Sequence, residues 1–131
     1  MKKILITVGI IVLFLLIVFG YFSATFSKFQ KELLATTIEN VDLSLVKDGT
    51  YEGKYDVKLI SAVVDVTVLD HKITDIKLKE HKHGPNPKYA GDDTTKRVVD
   101  KQSLIVDGVT GATNSSKVIK KAIELALKKG I

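Results

Sequence analysis

Residues 60–79 read ISAVVDVTVLDHKITDIKLK, two apolar alternations separated by a charged break. Ile60, Ala62, Val64, Val66 and Val68 recur at every second residue, the period of a strand with one buried face. Valine and threonine dominate the stretch, and β-branched side chains suit a pleated surface. Asp70-His71-Lys72 interrupts the run; Ile73, Ile76 and Leu78 resume it, with Lys77 and Lys79 on the opposite face. Two such strands joined by so short a break predict an antiparallel hairpin with one face in water.

The flanking segments extend this sheet and cover it. Thr50–Val57 (TYEGKYDV), opened by Asp48-Gly49, places Tyr51, Gly53 and Tyr55 on one side and predicts a first strand. After the hairpin, residues 81–93 (HKHGPNPKYAGDD) hold both prolines of the chain. A loop of about a dozen residues is near the length at which loops tend to be functional or disordered. Thr94–Gln102 predicts a short helix with Val98 and Val99 inward, and Leu104–Val106 a brief buried strand. Residues 114–129 (NSSKVIKKAIELALKK) set Val118, Ile119, Ala122, Ile123, Ala126 and Leu127 on one helical face. Ser115 or Ser116 is placed to cap its start, and Lys128 and Lys129 complement its C-terminal dipole. The expected domain is α+β: a small antiparallel sheet of four strands covered by the C-terminal helix.

A very different segment precedes it. Ile4–Phe22 (ILITVGIIVLFLLIVFGYF) carries no charge, and as a helix it would cross the roughly 30 Å hydrocarbon core of a bilayer. It exceeds the apolar region of a removable signal peptide, about 7–15 residues, and no small-residue cleavage pattern follows it. Residues 1–26 therefore read as an uncleaved transmembrane anchor, 27–47 as a helical extension and linker, and 48–131 as the domain. Lys2 and Lys3 before the span predict a cytoplasmic N-terminus. The protein is expected in the cell membrane, single-pass, with its C-terminal domain extracytoplasmic.

Composition removes several functions. The chain has no cysteine, which excludes disulfides, thiolate metal sites and lipid attachment at a cysteine. Its net charge of +5 is mild and interleaved with acidic residues, so no nucleic acid is expected. Nothing assembles a Ser-His-Asp group, a paired-carboxylate site or a cysteine nucleophile.

Residues 107–116, DGVTGATNSS, lie between the last apolar run and the terminal helix. Glycines allow close backbone approach, and a helix start presents unpaired N–H groups and the positive end of its dipole. Physically the stretch is either punctuation before a helix or a seat for phosphate, with Thr110, Thr113, Ser115 and Ser116 as candidate hydroxyls. It matches neither the Walker loop nor the G-x-G-x-x-G dinucleotide pattern.

Asp107-Gly-Val-Thr-Gly-Ala-Thr113 resembles the D-x-x-[ST]-G-A-T signature of the FMN-binding domain family. That family is known from the C subunit of sodium-translocating NADH:quinone reductase, the G subunit of the Rnf complex and small extracytosolic flavoproteins. Asp48–Tyr55, Asp65–Leu78 and Gln102–Asp107 resemble its other segments in order. The resemblance implies FMN as cofactor, transferred from FAD by a metal-dependent flavin transferase and held through a phosphoester on Thr113, with AMP released. Thr110, Gly111 and Ala112 complete the implied cofactor-binding motif, and Asp107 opens it. It further implies an electron-transfer flavoprotein rather than a free-standing enzyme, with a quinone-linked or Rnf-like membrane donor as partner. A flavin-free binding or regulatory module of the same fold is the alternative.

Three further groups invite roles. Glu80, His81 and His83, with Asp92 and Asp93 beyond them, are the residues a metal would use, but convergence of three or four ligands is not evident in their spacing, and no metal is expected. The same two histidines are candidates to flank the flavin. Tyr51, Tyr55 and Tyr89 are candidates to stack on it, against the commoner role of aromatic packing. His71, in the hairpin turn, is assigned no role.

Overall fold

The computed structural model describes residues 1–84, 86 and 90–131; Tyr89 lies outside them. The chain divides into two units, residues 1–34 and 35–131. The first consists of helix α1, Lys2–Ala35, which continues unbroken beyond Phe26 and ends one residue into the second unit. An 18-residue window within its 34 residues reaches a mean hydropathy of 3.0, and every side chain from Ile4 to Phe22 is exposed. Apolar on all sides, α1 is long enough to cross a membrane.

The second unit is α+β. Strands β1 (Gly49–Asp56), β2 (Ser61–Leu69) and β3 (Lys72–Lys82) form an antiparallel sheet in that order. The predicted hairpin tightens to two turn residues: Leu69 pairs with Lys72, and Asp70 and His71 take φ of 49° and 58°. Positive φ at both central positions is the type I′ turn, whose twist matches the strands it joins. Asp48 Oδ1 accepts the Asp70 N–H at 2.9 Å, and the His71 ring lies 3.3 Å from the Val46 carbonyl.

Two register shifts, at Val63/Val64 and Thr67/Val68, insert Thr74 and Lys79 as extra residues in β3. Each bulge moves the inward position by one. The residues turned to the core side are thus Ile73, Ile76, Leu78 and His81, and His81 lies across from fully buried Ala62. Helix α3 (Thr113–Lys128) covers this face. Ala62, Val64 and Val66 of β2 and Val118, Ile119, Ala122, Ile123 and Ala126 of α3 have no exposed surface. A fully buried Val or Ile contributes about 1.5–3 kcal/mol. The layers approach closely at Gly53, where a Cβ would clash with the Ala122 carbonyl oxygen.

Helix α2, Asp93–Lys101, lies within a residue of its predicted span. Val98 is buried and Val99 half-buried. The expected fourth strand at Leu104–Val106 does not form; the described residues contain three strands. The edge it would have joined is already engaged: Gln102, in the left-handed conformation at the end of α2, uses its side-chain amide to accept from the Ile73 N–H at 2.7 Å and donate to the Ile73 carbonyl at 2.8 Å. The backbone beyond finds other partners. Asn40 Oδ1 accepts the Leu104 N–H, Lys120 donates to the Val106 carbonyl, and Ile105 points to solvent.

Residues 36–46 are more than a linker. Val41 and Val46 are buried, and Thr36 hydrogen-bonds Tyr55 at 2.6 Å. Glu124, solvent-inaccessible in the middle of α3, accepts the Glu39 N–H at 3.0 Å and pairs with Lys121 and Lys128. Lys121 also donates to the Thr37 carbonyl.

Candidate functional site

The segment between Leu104 and α3 is held by side chains from both helices of the domain. Arg97 of α2 donates to the Asp107 and Gly108 carbonyls at 3.0 and 2.9 Å through one guanidinium nitrogen. Lys120 of α3 reaches the Val106 carbonyl at 3.0 Å; burial lowers the ionisation of its ammonium, with nearby Asp107 opposing that shift. The chain then turns: the Ala112 N–H donates to the Val109 carbonyl at 2.9 Å, with Gly111 at φ 79° between them. That is the type II arrangement, which requires positive φ at its third residue. Gly108 has no such angle, and a Cβ there would meet nothing closer than 3.6 Å, so the expected need for glycine at both positions holds only at Gly111.

Ser116 secures the turn from beneath. Its buried hydroxyl donates to the Ala112 carbonyl at 2.8 Å and accepts the Val109 N–H at 2.9 Å. The helix start differs from the sequence expectation. α3 begins at Thr113, Ala112 occupies the cap position, and no side chain caps it. Ser115 and Ser116 lie inside the first turn, both buried. The N–H groups of Thr113, Asn114 and Ser115 therefore have neither a capping side chain nor an acceptor one turn back, as helix geometry dictates.

The residues that carry these N–H groups line a cavity of about 390 Å³ together with Ile60, His83, Gly111 and Ala112. Thr113, one of the lining residues, is exposed. Among the expected cofactor residues, Gly111, Ala112 and Thr113 come together here. Thr110 is exposed on the turn and does not line the cavity. Asp107 borders a separate depression of about 380 Å³ with Arg97, Asp100, Lys101 and Val106.

The histidines part ways. His81 is committed to the fold, its Nδ1 2.8 Å from the Ser61 carbonyl and its Nε2 2.6 Å from the Ala90 carbonyl. His83, its ring centroid 5.1 Å from that of His81, lines the cavity. The described residues contain no cluster of three or more potential metal-ligating His, Asp or Glu side chains. Tyr51 and Tyr55 do not line the cavity: Tyr51 donates to the Lys47 carbonyl, and Tyr55 bonds Thr36. Sequence patterning had pointed to neither Ile60 and Asn114 as lining residues nor Arg97 and Ser116 as supports of the turn. The first two are brought in by the fold. Ser116 was visible only as a candidate cap or phosphate-seat hydroxyl.

The arrangement suits a phosphate-bearing ligand. Uncapped helix N–H groups and the positive end of the dipole meet the anion, a hydroxyl stands beside them, and an aliphatic side chain and an imidazole form other parts of the wall. No curated protein and no solved structure gives a significant match to the chain. A family model described as FMN-binding domain matches residues 46–128, which takes in all three strands and α2, and ends with α3 at Lys128.

Proposed function

Because the chain belongs to the FMN-binding domain family, with an N-terminal helix able to span a membrane, we propose that it is a membrane-anchored electron carrier whose FMN is esterified to Thr113 and faces the extracytoplasmic side. The observation that carries the proposal is the uncapped start of α3 lining the cavity, with exposed Thr113 at its first position.

Attachment would be a phosphoryl transfer. The Thr113 oxygen forms a bond to the FMN phosphorus of FAD, the pyrophosphate linkage breaks, AMP departs, and the threonine proton passes to a base of a flavin transferase. The product phosphate carries negative charge, and the N–H groups of Thr113, Asn114 and Ser115 offset it. Gly111 leaves the approach to Thr113 free of a side chain, while Ser116 and Arg97 hold the turn in place. Bound FMN would supply one- and two-electron chemistry that no side chain of this protein offers. The chain supplies attachment, orientation and shelter, consistent with a carrier rather than a free-standing enzyme. Lys2 and Lys3 ahead of the span favour placing the domain outside, where a quinone-linked or Rnf-like membrane donor would reduce it.

Intact-mass spectrometry of the full chain co-expressed with a flavin transferase is expected to show the added mass of FMN less one water. Flavin fluorescence should persist in a denaturing gel, and Thr113→Ala should abolish both signals. An unmodified, colourless wild-type protein under these conditions would leave a flavin-free module of the same fold.

A further inference from the structure

The partners of His81 dictate which protons its ring carries. Nδ1 lies 2.8 Å from the Ser61 carbonyl oxygen and Nε2 2.6 Å from the Ala90 carbonyl oxygen. A carbonyl oxygen can only accept, and a neutral imidazole has one N–H and one lone pair. With a neutral ring, one of the two contacts would set a nitrogen lone pair against an oxygen lone pair at hydrogen-bond distance. The imidazolium, with an N–H on each nitrogen, satisfies both carbonyls.

The two carbonyls belong to different parts of the domain. Ser61 opens β2 beside Ala62, the register partner of His81, so the sheet itself keeps that contact in place. Ala90 lies outside the sheet and leads into Gly91. Gly91 is buried at φ 71°, and its carbonyl accepts the Thr94 N–H at 3.0 Å where α2 begins. A Cβ on it would fall 3.1 Å from Ser116 Oγ and 3.4 Å from the Ala112 Cβ. Gly91 therefore stands against the two residues whose hydrogen bond secures the turn before Thr113. His81 reaches that turn through Ala90 and Gly91.

We infer that His81 works as the imidazolium and is a positioning residue for this site, a proton-dependent clamp that holds Ala90 and Gly91 against the start of α3. When one proton leaves to solvent, the remaining N–H stays on Nδ1, where the strand register keeps the Ser61 carbonyl, and the Nε2 contact with Ala90 opens. Histidine ordinarily exchanges its proton between about pH 5 and 8, so the clamp is closed at the acid end and releases as pH rises. The ionisable group beside the ring is His83, at 5.1 Å between centroids. β2 meets it with Ala62, and Glu80 and Lys82 alternate to the other face of β3. Exposed Asp92 and Asp93 follow Gly91 at the start of α2, while Lys96 and Asp100 border Thr74–Ile76 toward the other end of β3. The first turn of α3, Thr113–Ser116, adds no ionisable side chain.

NMR of the full chain in detergent tests the clamp without any cofactor. The protein is made without a flavin transferase, carries nitrogen-15 in its backbone amides and its three histidines, and is titrated from about pH 5 to pH 9, the span of histidine exchange. His71→Asn and His83→Asn assign the ring signals by elimination. His81 is expected to show two protonated nitrogens at the acid end and to lose the Nε2 proton alone as pH rises, with the Gly91 and Ser116 amide signals moving at the same midpoint. His81→Phe, which keeps a ring without an N–H, should hold both amides near their alkaline wild-type positions, and His83→Asn should leave their titration intact. A His81 ring that keeps one protonation state throughout overturns the clamp, as do Gly91 and Ser116 amides that fail to follow it or that stop titrating in His83→Asn. The wild-type titration decides the matter even where His81→Phe does not fold. With a flavin transferase added, the ratio of wild-type to His81→Phe attachment rates, in which the transferase's own pH dependence cancels, should fall toward one as pH rises; a constant ratio overturns the positioning role. Wild-type protein that never takes FMN would refute the phosphoester at Thr113, while the NMR titration still decides the clamp.

Discussion

At Gly111 the backbone takes φ 79°, a conformation that costs a residue with a Cβ about 1–2 kcal/mol. Gly111→Ala is therefore expected to lower the thermal midpoint and, by displacing the turn that presents Thr113, to reduce FMN loading measured by intact mass. Gly108→Ala, three residues earlier, should change stability by less than about 0.5 kcal/mol, because its added methyl meets only ordinary contacts. Ser116 makes a second residue-scale test. Ser116→Ala removes two hydrogen bonds from a buried hydroxyl and leaves the Val109 N–H short of an acceptor, a loss of about 1–3 kcal/mol. Urea unfolding should show that loss without any change in the fluorescence of FMN already attached.

Among the elements, α3 carries both the start of the cavity and the densest packing. Gly53→Val would drive a side chain into the Ala122 carbonyl and the Ala126 methyl, and overpacking of this kind costs about 1–3 kcal/mol or more. A fall in melting temperature of at least several degrees is expected; an unchanged melt would mean that β1 and α3 do not meet at Gly53. Further along the same helix, burial pushes the Glu124 carboxyl up from its ordinary value, but hydrogen bonds from Lys128, the Glu39 N–H and Lys121 outweigh it and the net shift is downward. A carboxylate with a depressed folded value contributes stability that is complete above its unfolded value, near 4.5, and is lost as pH falls through the folded value. Melts between pH 7 and pH 3 should show an acid limb below about pH 4.5, and Glu124→Gln should flatten it. The same element explains the position of residues 36–46, which Glu124 and Lys121 hold by their backbone.

On the scale of the whole molecule, a 34-residue helix able to span a bilayer is joined to a domain with a phosphate-ready cavity. Full-length protein should stay with membranes after an alkaline carbonate wash and be released by detergent. In intact cells stripped of outer layers, an added protease should reach the FMN-bearing domain; complete protection would place it on the cytoplasmic side. The hairpin, α2 and α3 were legible as local periodicities, because each records which face of a single element is apolar, and α1 as a long run without charge. Leu104–Val106 misled for the same reason. Three apolar residues have strand character, but whether an edge is free to receive them depends on Gln102 closing it at Ile73, and a side-chain amide leaves no period in the sequence.

The candidate site divides along the same line. The G-A-T run and its turn glycine are contiguous, so their resemblance to the family signature singled out Gly111, Ala112 and Thr113 before any fold was known. His83, Ile60 and Asn114 line the same cavity from separate parts of the chain; His83 was one of two candidate histidines, and nothing in the local sequence points to Ile60 or Asn114. Two bulges in β3 set the face of His81, and His81 in turn binds carbonyls of Ser61 and Ala90. That the start of α3 carries no capping side chain was likewise undecided by a sequence offering several hydroxyls within four residues. Local order thus determined the long apolar helix, the sheet hairpin, the covering helix and the Gly-containing turn before it, since these depend on neighbours along the chain. Tertiary structure decided which hydroxyl stands at the open helix end, which histidine is committed to the fold and which faces the cavity, because those depend on register and on partners dozens of residues away.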